Sequence, residues 1–150
     1  MRAVLQRVSF AKVTSDGNLT GEIGKGIVLL VGFSALDDEK AMDYILEKTI
    51  NLRIFEDENE KMNLSLLDVS GELLIVPNFT LYGDARKGRR PGYSDAASPD
   101  IAGRFFSVFC EKVKASPVFK KGFGKFQSYM QLELLNDGPV TLLLDSDRNF

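Results

Sequence analysis

Gly26-Ile27-Val28-Leu29-Leu30-Val31-Gly32-Phe33 is a near-continuous apolar run, and its reading decides the fold. A strand with one wet face alternates polar and apolar residues. A strand apolar at every position has no wet face and must be covered on both sides. Working outward, residues 2–14 read as a strand with mixed faces that turns at Asp16-Gly17-Asn18. Downstream, from about Asp37 to Leu52, Ala41, Ile45, Leu46, Thr49 and Leu52 recur at helical spacing, which predicts an amphipathic helix capped by Asp37 or Ser34. Glu56-Asp57-Glu58-Asn59-Glu60-Lys61 is a polar turn, and Glu72 to Val76 begins another buried strand. Ser98-Pro99-Asp100 opens a second helix, with proline where a missing N–H costs nothing. Ile101, Phe105, Val108, Phe109 and Lys112 follow on one face, and Ser116-Pro117 stops it. Ser128 to Leu135 alternates, with Met130, Leu132 and Leu134 on one side, and Val140 to Leu144 is a last strand after a turn at Gly138-Pro139. The pattern predicts a single α/β domain over residues 1–150, a curved, barrel-like sheet flanked by two main helices, and leaves the strand order open.

The composition of 44% hydrophobic and 27% charged residues is that of an ordinary globular chain. No apolar run approaches the roughly 20 residues of a membrane helix, and Met1 to Arg7 lacks the apolar stretch of a secretory signal. A cytoplasmic location with no membrane partner is the expectation. Cys110 stands alone and cannot form an internal disulfide, in keeping with a reducing compartment.

The most useful compositional fact is that the chain has no histidine. Histidine is the commonest general base and metal ligand, so Ser-His and Cys-His catalysis are excluded, and with a single cysteine the usual zinc sites nearly so. Neither metal nor cofactor is expected. A hydrolase built from this chain must draw on backbone dipoles, carboxylates, hydroxyls, lysines or the substrate. The net charge of −2 argues against a general nucleic-acid binder. Yet Arg86-Lys87-Gly88-Arg89-Arg90 packs four cations into five residues, and Lys120, Lys121 and Lys125 form a second group. Such runs are either solvated loops or grips for phosphates.

Three segments could carry chemistry. Val76-Pro77-Asn78-Phe79-Thr80-Leu81-Tyr82 leaves an apolar strand for a polar loop, where site residues can sit on rigid scaffolding; by itself it reads first as a strand end, with Asn78 and Thr80 satisfying turn bonds. Asn136-Asp137-Gly138-Pro139 alone is a turn. Lys125-Phe126-Gln127-Ser128-Tyr129-Met130 could stack on a nucleobase or pack into the core. Asp145 and Asp147 pair with no nucleophile and read as surface charges.

Taken together, the segments resemble the D-aminoacyl-tRNA deacylase family over essentially the whole chain. The resemblance rests on Met1-Arg2-Ala3-Val4-Leu5-Gln6-Arg7-Val8, Gly21-Glu22-Ile23-Gly24-Lys25-Gly26 and Asn51-Leu52-Arg53-Ile54-Phe55-Glu56-Asp57. It continues through Gly71-Glu72-Leu73-Leu74, Phe79-Thr80-Leu81-Tyr82 and Arg86-Lys87-Gly88-Arg89-Arg90-Pro91 to Asn136-Asp137-Gly138-Pro139-Val140-Thr141. Each is weak alone; their order and spacing make the match specific.

The resemblance implies a homodimer that hydrolyses the ester between a D-amino acid and the 3′-terminal ribose of tRNA. It also implies action on glycyl-tRNA, including glycine mischarged on an alanine tRNA. A cis Gly138-Pro139 would enter the partner's pocket as a backbone wall that an L side chain strikes and a D side chain avoids. Phe79 and Thr80 would supply backbone N–H groups to an oxyanion, with the tRNA's terminal 2′-hydroxyl assisting the attacking water. A nucleophilic Thr80 hydroxyl is the minority alternative. Arg7 would brace Gly138-Pro139, Pro77 and Asn78 would border the amino acid, and Phe126 to Met130 would line the adenine pocket. Two departures stand out. Most relatives have Ser-Gln where this chain has Pro77-Asn78, and Phe-Gly-Ala-x-Met where it has Phe126-Gln127-Ser128-Tyr129-Met130. A related animal branch that edits L-alanine on a threonine tRNA shares the proline but carries alanine in place of Phe79. Two alternatives follow: relaxed-chirality editing of L-Ala-tRNA, and a nucleic-acid-binding homologue without catalysis.

Overall fold

The computed structural model describes all residues from 1 to 150. The chain runs through β1 (Arg2–Ser15), β2 (Asn18–Ile23), β3 (Gly26–Gly32), α1 (Glu39–Asn51), β4 (Phe55–Glu56), β5 (Met62–Leu64), β6 (Glu72–Pro77), a 3₁₀ turn (Phe79–Tyr82), α2 (Pro99–Ala115), β7 (Lys120–Phe123) and β8 (Met130–Asp145). Six strands form one sheet in the order β2-β1-β3-β6-β7, with β8 added along β1; β4 and β5 make a small separate hairpin around the polar turn. β3, β6 and β7 are parallel, and the connections between them contain α1 and α2. That arrangement suits parallel strands, which cannot be joined by a tight turn.

The sheet curls into a nearly closed barrel. Strands β2 and β7 approach without pairing, and glycine permits it: a Cβ on Gly21 would lie 2.9 Å from the Phe123 amide nitrogen. Inside the barrel, Val8, Ala11, Val13, Ile23, Val28, Leu74 and Val76 form a small core. The larger core lies between the sheet and the helices, and takes Ile27, Leu29 and Val31 from β3 with Leu73 and Ile75 from β6. Both strands thus bury both faces, which is why they read as unbroken apolar runs.

The mixed faces of β1 have a local cause. Val8 opposes Asn136 and Phe10 opposes Leu135, so Ser9 is an extra residue on β1. Before it, Ala3 and Leu5 face the helices; after it, Ala11 and Val13 face the barrel interior. One bulged residue reverses the alternation.

Four expectations need correction. The cap of α1 is Asp38, whose carboxylate accepts from the Ala41 N–H at 2.9 Å, and not Asp37 or Ser34. Asp37 instead pairs with the Met1 ammonium and accepts from Ser34. The buried face of α2 is Ala102, Phe106, Phe109, Cys110 and Val113, one residue on from the stripe expected, and Val108 is 39% exposed. Asp145 is buried at 3% exposure, held by Arg2 and by the Asp147 N–H, and is not a surface charge. Residues Asn136 to Pro139 do not form a turn between two strands. They lie inside the single strand β8.

Candidate active site

The end of β6 sets up the site. β6 stops at Pro77, which has no N–H with which to extend a ladder. Asn78 then caps the 3₁₀ turn, with its N–H donating to the Val31 carbonyl at 2.7 Å. The Asn78 side-chain oxygen accepts from the Thr80 N–H at 3.3 Å and from the Thr80 hydroxyl at 2.5 Å. The Thr80 hydroxyl is therefore committed to an amide, with no base beside it. The Phe79 N–H has no hydrogen-bond partner. Tyr82 fixes the far end of the turn: it is buried, its ring lies 4.6 Å beneath the Arg2 guanidinium, and burial drives its phenol well above its ordinary pKa.

This turn borders a cavity of about 750 Å³. Pro77, Asn78 and Phe79 form one side, and Phe126 and Met130 another; Thr80 and Arg7 do not line it. Phe126 stacks on Phe106 with centroids 6.0 Å apart, so one face belongs to the core while the residue still reaches the cavity. Phe79 is 58% exposed and packs edge-on against Tyr93 at 5.2 Å, forming a rim. Of the 19 lining residues none is Asp, Glu, Lys or Arg, and Tyr93 is the one titratable group. The cavity can bind an apolar or aromatic group and offer amide hydrogen bonds. It has no side chain suited to general-base catalysis near neutral pH.

Gly32, Tyr93, Ala97, Ser98 and Leu132 also line the cavity and were not singled out from the sequence. Gly32 looked like the end of an apolar strand. A Cβ there would come within 2.9 Å of the Asn78 carbonyl, so the glycine lets the turn lie on β3. Tyr93 sits among glycines and charges, and Ser98 had a sufficient reading as a helix start.

The Asn136 to Thr141 segment is a bulge. Gln6 opposes Thr141 and Val8 opposes Asn136, so residues 137 to 140 face only Arg7 on β1. Arg7, just 5% exposed, donates from Nε to the Asp137 carbonyl at 3.0 Å and from Nη1 to the Ile54 carbonyl at 2.6 Å. Across the base of the bulge the Asn136 carboxamide accepts from the Val140 N–H at 3.0 Å and donates to the Thr141 hydroxyl at 2.9 Å. The Gly138–Pro139 peptide bond is cis. Both residues are exposed, and neither lines the cavity of its own chain.

The family model for D-Tyr-tRNA(Tyr) deacylase matches residues 4–145. D-aminoacyl-tRNA deacylases of Clostridioides difficile and Thermosipho africanus are each 55% identical to the chain over 150 residues, covering all of both sequences. Among solved structures, a c-Myc DNA unwinding element binding protein superposes with a TM-score of 0.90 at 39% identity, covering 97% of this chain and 98% of that one. A probable eukaryotic D-amino acid tRNA deacylase superposes with a TM-score of 0.81 at 18% identity, covering 96% and 98%, a likeness of fold. With a family model spanning nearly the whole chain and full-length relatives at this identity, the chain belongs to the D-aminoacyl-tRNA deacylase family of hydrolases, whose substrate is aminoacyl-tRNA.

Proposed function

We propose that the chain, acting as one domain over residues 1–150 and as a homodimer, removes D-amino acids from tRNA by a reaction in which the RNA supplies the acid–base chemistry. One observation carries this reading: the cavity is lined by apolar, amide and hydroxyl groups and contains no carboxylate, lysine or arginine. An ester still has to be attacked by water, and the tetrahedral intermediate still has to be stabilised. The unpartnered Phe79 N–H is a ready donor for the oxyanion. The Thr80 N–H, held only at 3.3 Å by Asn78, can join it as charge develops. The terminal adenosine's 2′-hydroxyl, next to the ester, orients the attacking water and relays a proton: it accepts the water's proton as it passes its own to the departing 3′-oxygen, so that the C–O bond formed to water replaces the C–O3′ bond broken. Phe126 and Met130 hold the adenine.

Chirality is assigned to Gly138 and Pro139 of the second copy. The support is positional. Arg7 and Asn136 hold the bulge firmly, yet it projects from its own chain and lines no cavity there. Beside it β8 has a free edge, since it pairs only with β1, and Phe10, Leu135 and Leu143 lie exposed on these two strands. An open strand of 16 residues with exposed apolar side chains calls for a partner. A backbone wall tests handedness and ignores side-chain identity, so glycyl-tRNA, including glycine mischarged on an alanine tRNA, is a substrate too.

The mechanism is tested with D-Tyr-tRNA ending in 2′-deoxyadenosine. Its turnover should fall by on the order of 10²-fold or more relative to normal D-Tyr-tRNA, the range of general acid–base catalysis. Equal turnover would refute RNA assistance and send the search back to a protein group. Pro77 borders the cavity, and on that ground relaxed editing of L-Ala-tRNA is the second reading. Strict rejection of L-Ala-tRNA at high enzyme concentration removes it.

A further inference from the structure

The basic run takes no part in the cavity, yet its position is defined. Residues 84 to 92 form a loop closed at its neck, where the Asp84 N–H donates to the Gly92 carbonyl at 2.7 Å and the Gly92 N–H returns to the Asp84 carbonyl at 2.9 Å. Both ends of the neck lead directly to the site. Gly92 precedes Tyr93, whose ring packs on Phe79 at the rim. Gly83 precedes Asp84, and its N–H donates to the Thr80 carbonyl at 2.9 Å.

The four cations of the loop are not equivalent. Arg86 forms a two-pronged pair with Asp84, Nε to Oδ1 and Nη2 to Oδ2, each at 2.8 Å, and the Arg86 N–H also donates to Oδ1 at 3.0 Å. This pair holds the Asp84 carboxyl well below the usual carboxylate range, so Asp84 stays ionised at any working pH. Arg86 thus shapes the loop, and its charge is spent on Asp84. Lys87, Arg89 and Arg90 are exposed and form no ion pair. A chain of net charge −2 thus sets three cations without ion-pair partners on one loop whose neck adjoins the rim of its cavity.

We propose that Lys87, Arg89 and Arg90 bind the backbone phosphates of the nucleotides just 5′ of the terminal aminoacyl-adenosine, with the Asp84–Arg86 pair shaping the loop at its neck. The inference rests on the deacylase reading. If the cavity holds the last nucleoside with its amino acid, the single strand must leave past the rim, and what leaves there is a row of phosphates. Lys and Arg on a positioned loop grip them without reading sequence. The loop's contribution therefore belongs to binding, shared by all tRNAs, and is absent for a substrate that has no phosphate.

Two esters separate this role from a structural one: D-Tyr-tRNA, and 3′-O-(D-tyrosyl)adenosine, which lacks every phosphate. In the triple variant Lys87→Ala, Arg89→Ala, Arg90→Ala, kcat/KM on D-Tyr-tRNA at low salt should fall on the order of 10- to 100-fold, carried by KM. The rate on the nucleoside ester should match that of the unaltered protein. Equilibrium binding of uncharged tRNA should weaken in parallel, and its log–log salt dependence should become shallower by about 2, from about 0.7 per phosphate on a single strand. Arg89→Lys with Arg90→Lys preserves charge and should bind within a few-fold of the original. An equal loss on both esters, an unchanged salt dependence, or a lysine variant as weak as the alanine one would overturn the proposal. If the unaltered protein cleaves neither ester, the deacylase reading fails instead, and the uncharged-tRNA series still decides whether the loop grips phosphates.

Discussion

Gly138 has the least freedom to change of any residue in the proposed wall. Its φ of +126° is closed to L side chains, and a Cβ would stand 2.8 Å from Arg7 Nη2 and 2.9 Å from Val140 Cγ2. Gly138→Ala should cost about 1–3 kcal/mol in stability by thermal denaturation. Deacylation should fall more steeply than stability, and a variant with unaltered stability and rate would show that the bulge tolerates a side chain. Thr80 stands at the other extreme. Its hydroxyl is given to Asn78, so Thr80→Ala should keep kcat within about tenfold, because no base is present to make that oxygen a nucleophile. Complete loss in a folded Thr80→Ala protein would restore the nucleophile reading. At this scale residue type alone gave Gly138 as a turn residue and said nothing of Arg7, whose hydrogen bond to the Asp137 carbonyl crosses from β1 to β8. Asp145 was misread because its strand partner and ion pair, Arg2, lies at the opposite end of the chain, and no local pattern carries that information.

Among the elements, β3 and β6 were the most legible, since a strand buried on both faces leaves a continuous apolar signature. The helix α2 was found with its ends in place, but its face was set one residue early, a rotation of about 100°. Ile101 and Phe105 are partly buried beside the true stripe, so the apolar arc is wider than one row and its centre is ambiguous from spacing alone. Strand β8 was split in two because Asn136-Asp137-Gly138-Pro139 carries strong turn chemistry. In the fold Asn136 pairs with Val8 and residues 137 to 140 make a four-residue bulge opposite Arg7, a long-range pairing that a local reading cannot see. The bulge interrupts an edge whose proposed occupant is a second copy. Leu143 is exposed on that strand, opposite Val4 of β1. Leu143→Glu should shift sedimentation from dimer toward monomer and reduce deacylation in proportion. A fully active monomer would place Gly138 and Pro139 outside the reaction.

For the molecule as a whole, two global properties of the sequence proved more informative than any single motif. The absence of histidine anticipated a cavity without a general base, and the cavity lining extends that absence to carboxylates and lysines. The net charge of −2 conceals a local excess of cations on a loop whose neck, beside the rim, is a bridge that closes only in the folded chain. The division of labour is then simple. On the proposed mechanism the protein would supply a shaped cavity, one free N–H and a rigid wall, and the RNA would supply the hydroxyl and the phosphates. Selectivity by such a wall depends on handedness, not on what the side chain is. The most direct measurement is amino-acid release from D-Tyr-tRNA, L-Tyr-tRNA and Gly-tRNA by the unaltered protein under one set of conditions. Cleavage of the D and glycyl esters, with the L ester slower by at least about 10²-fold, is the expected result. Equal rates on D and L, or no release from D-Tyr-tRNA, would contradict it.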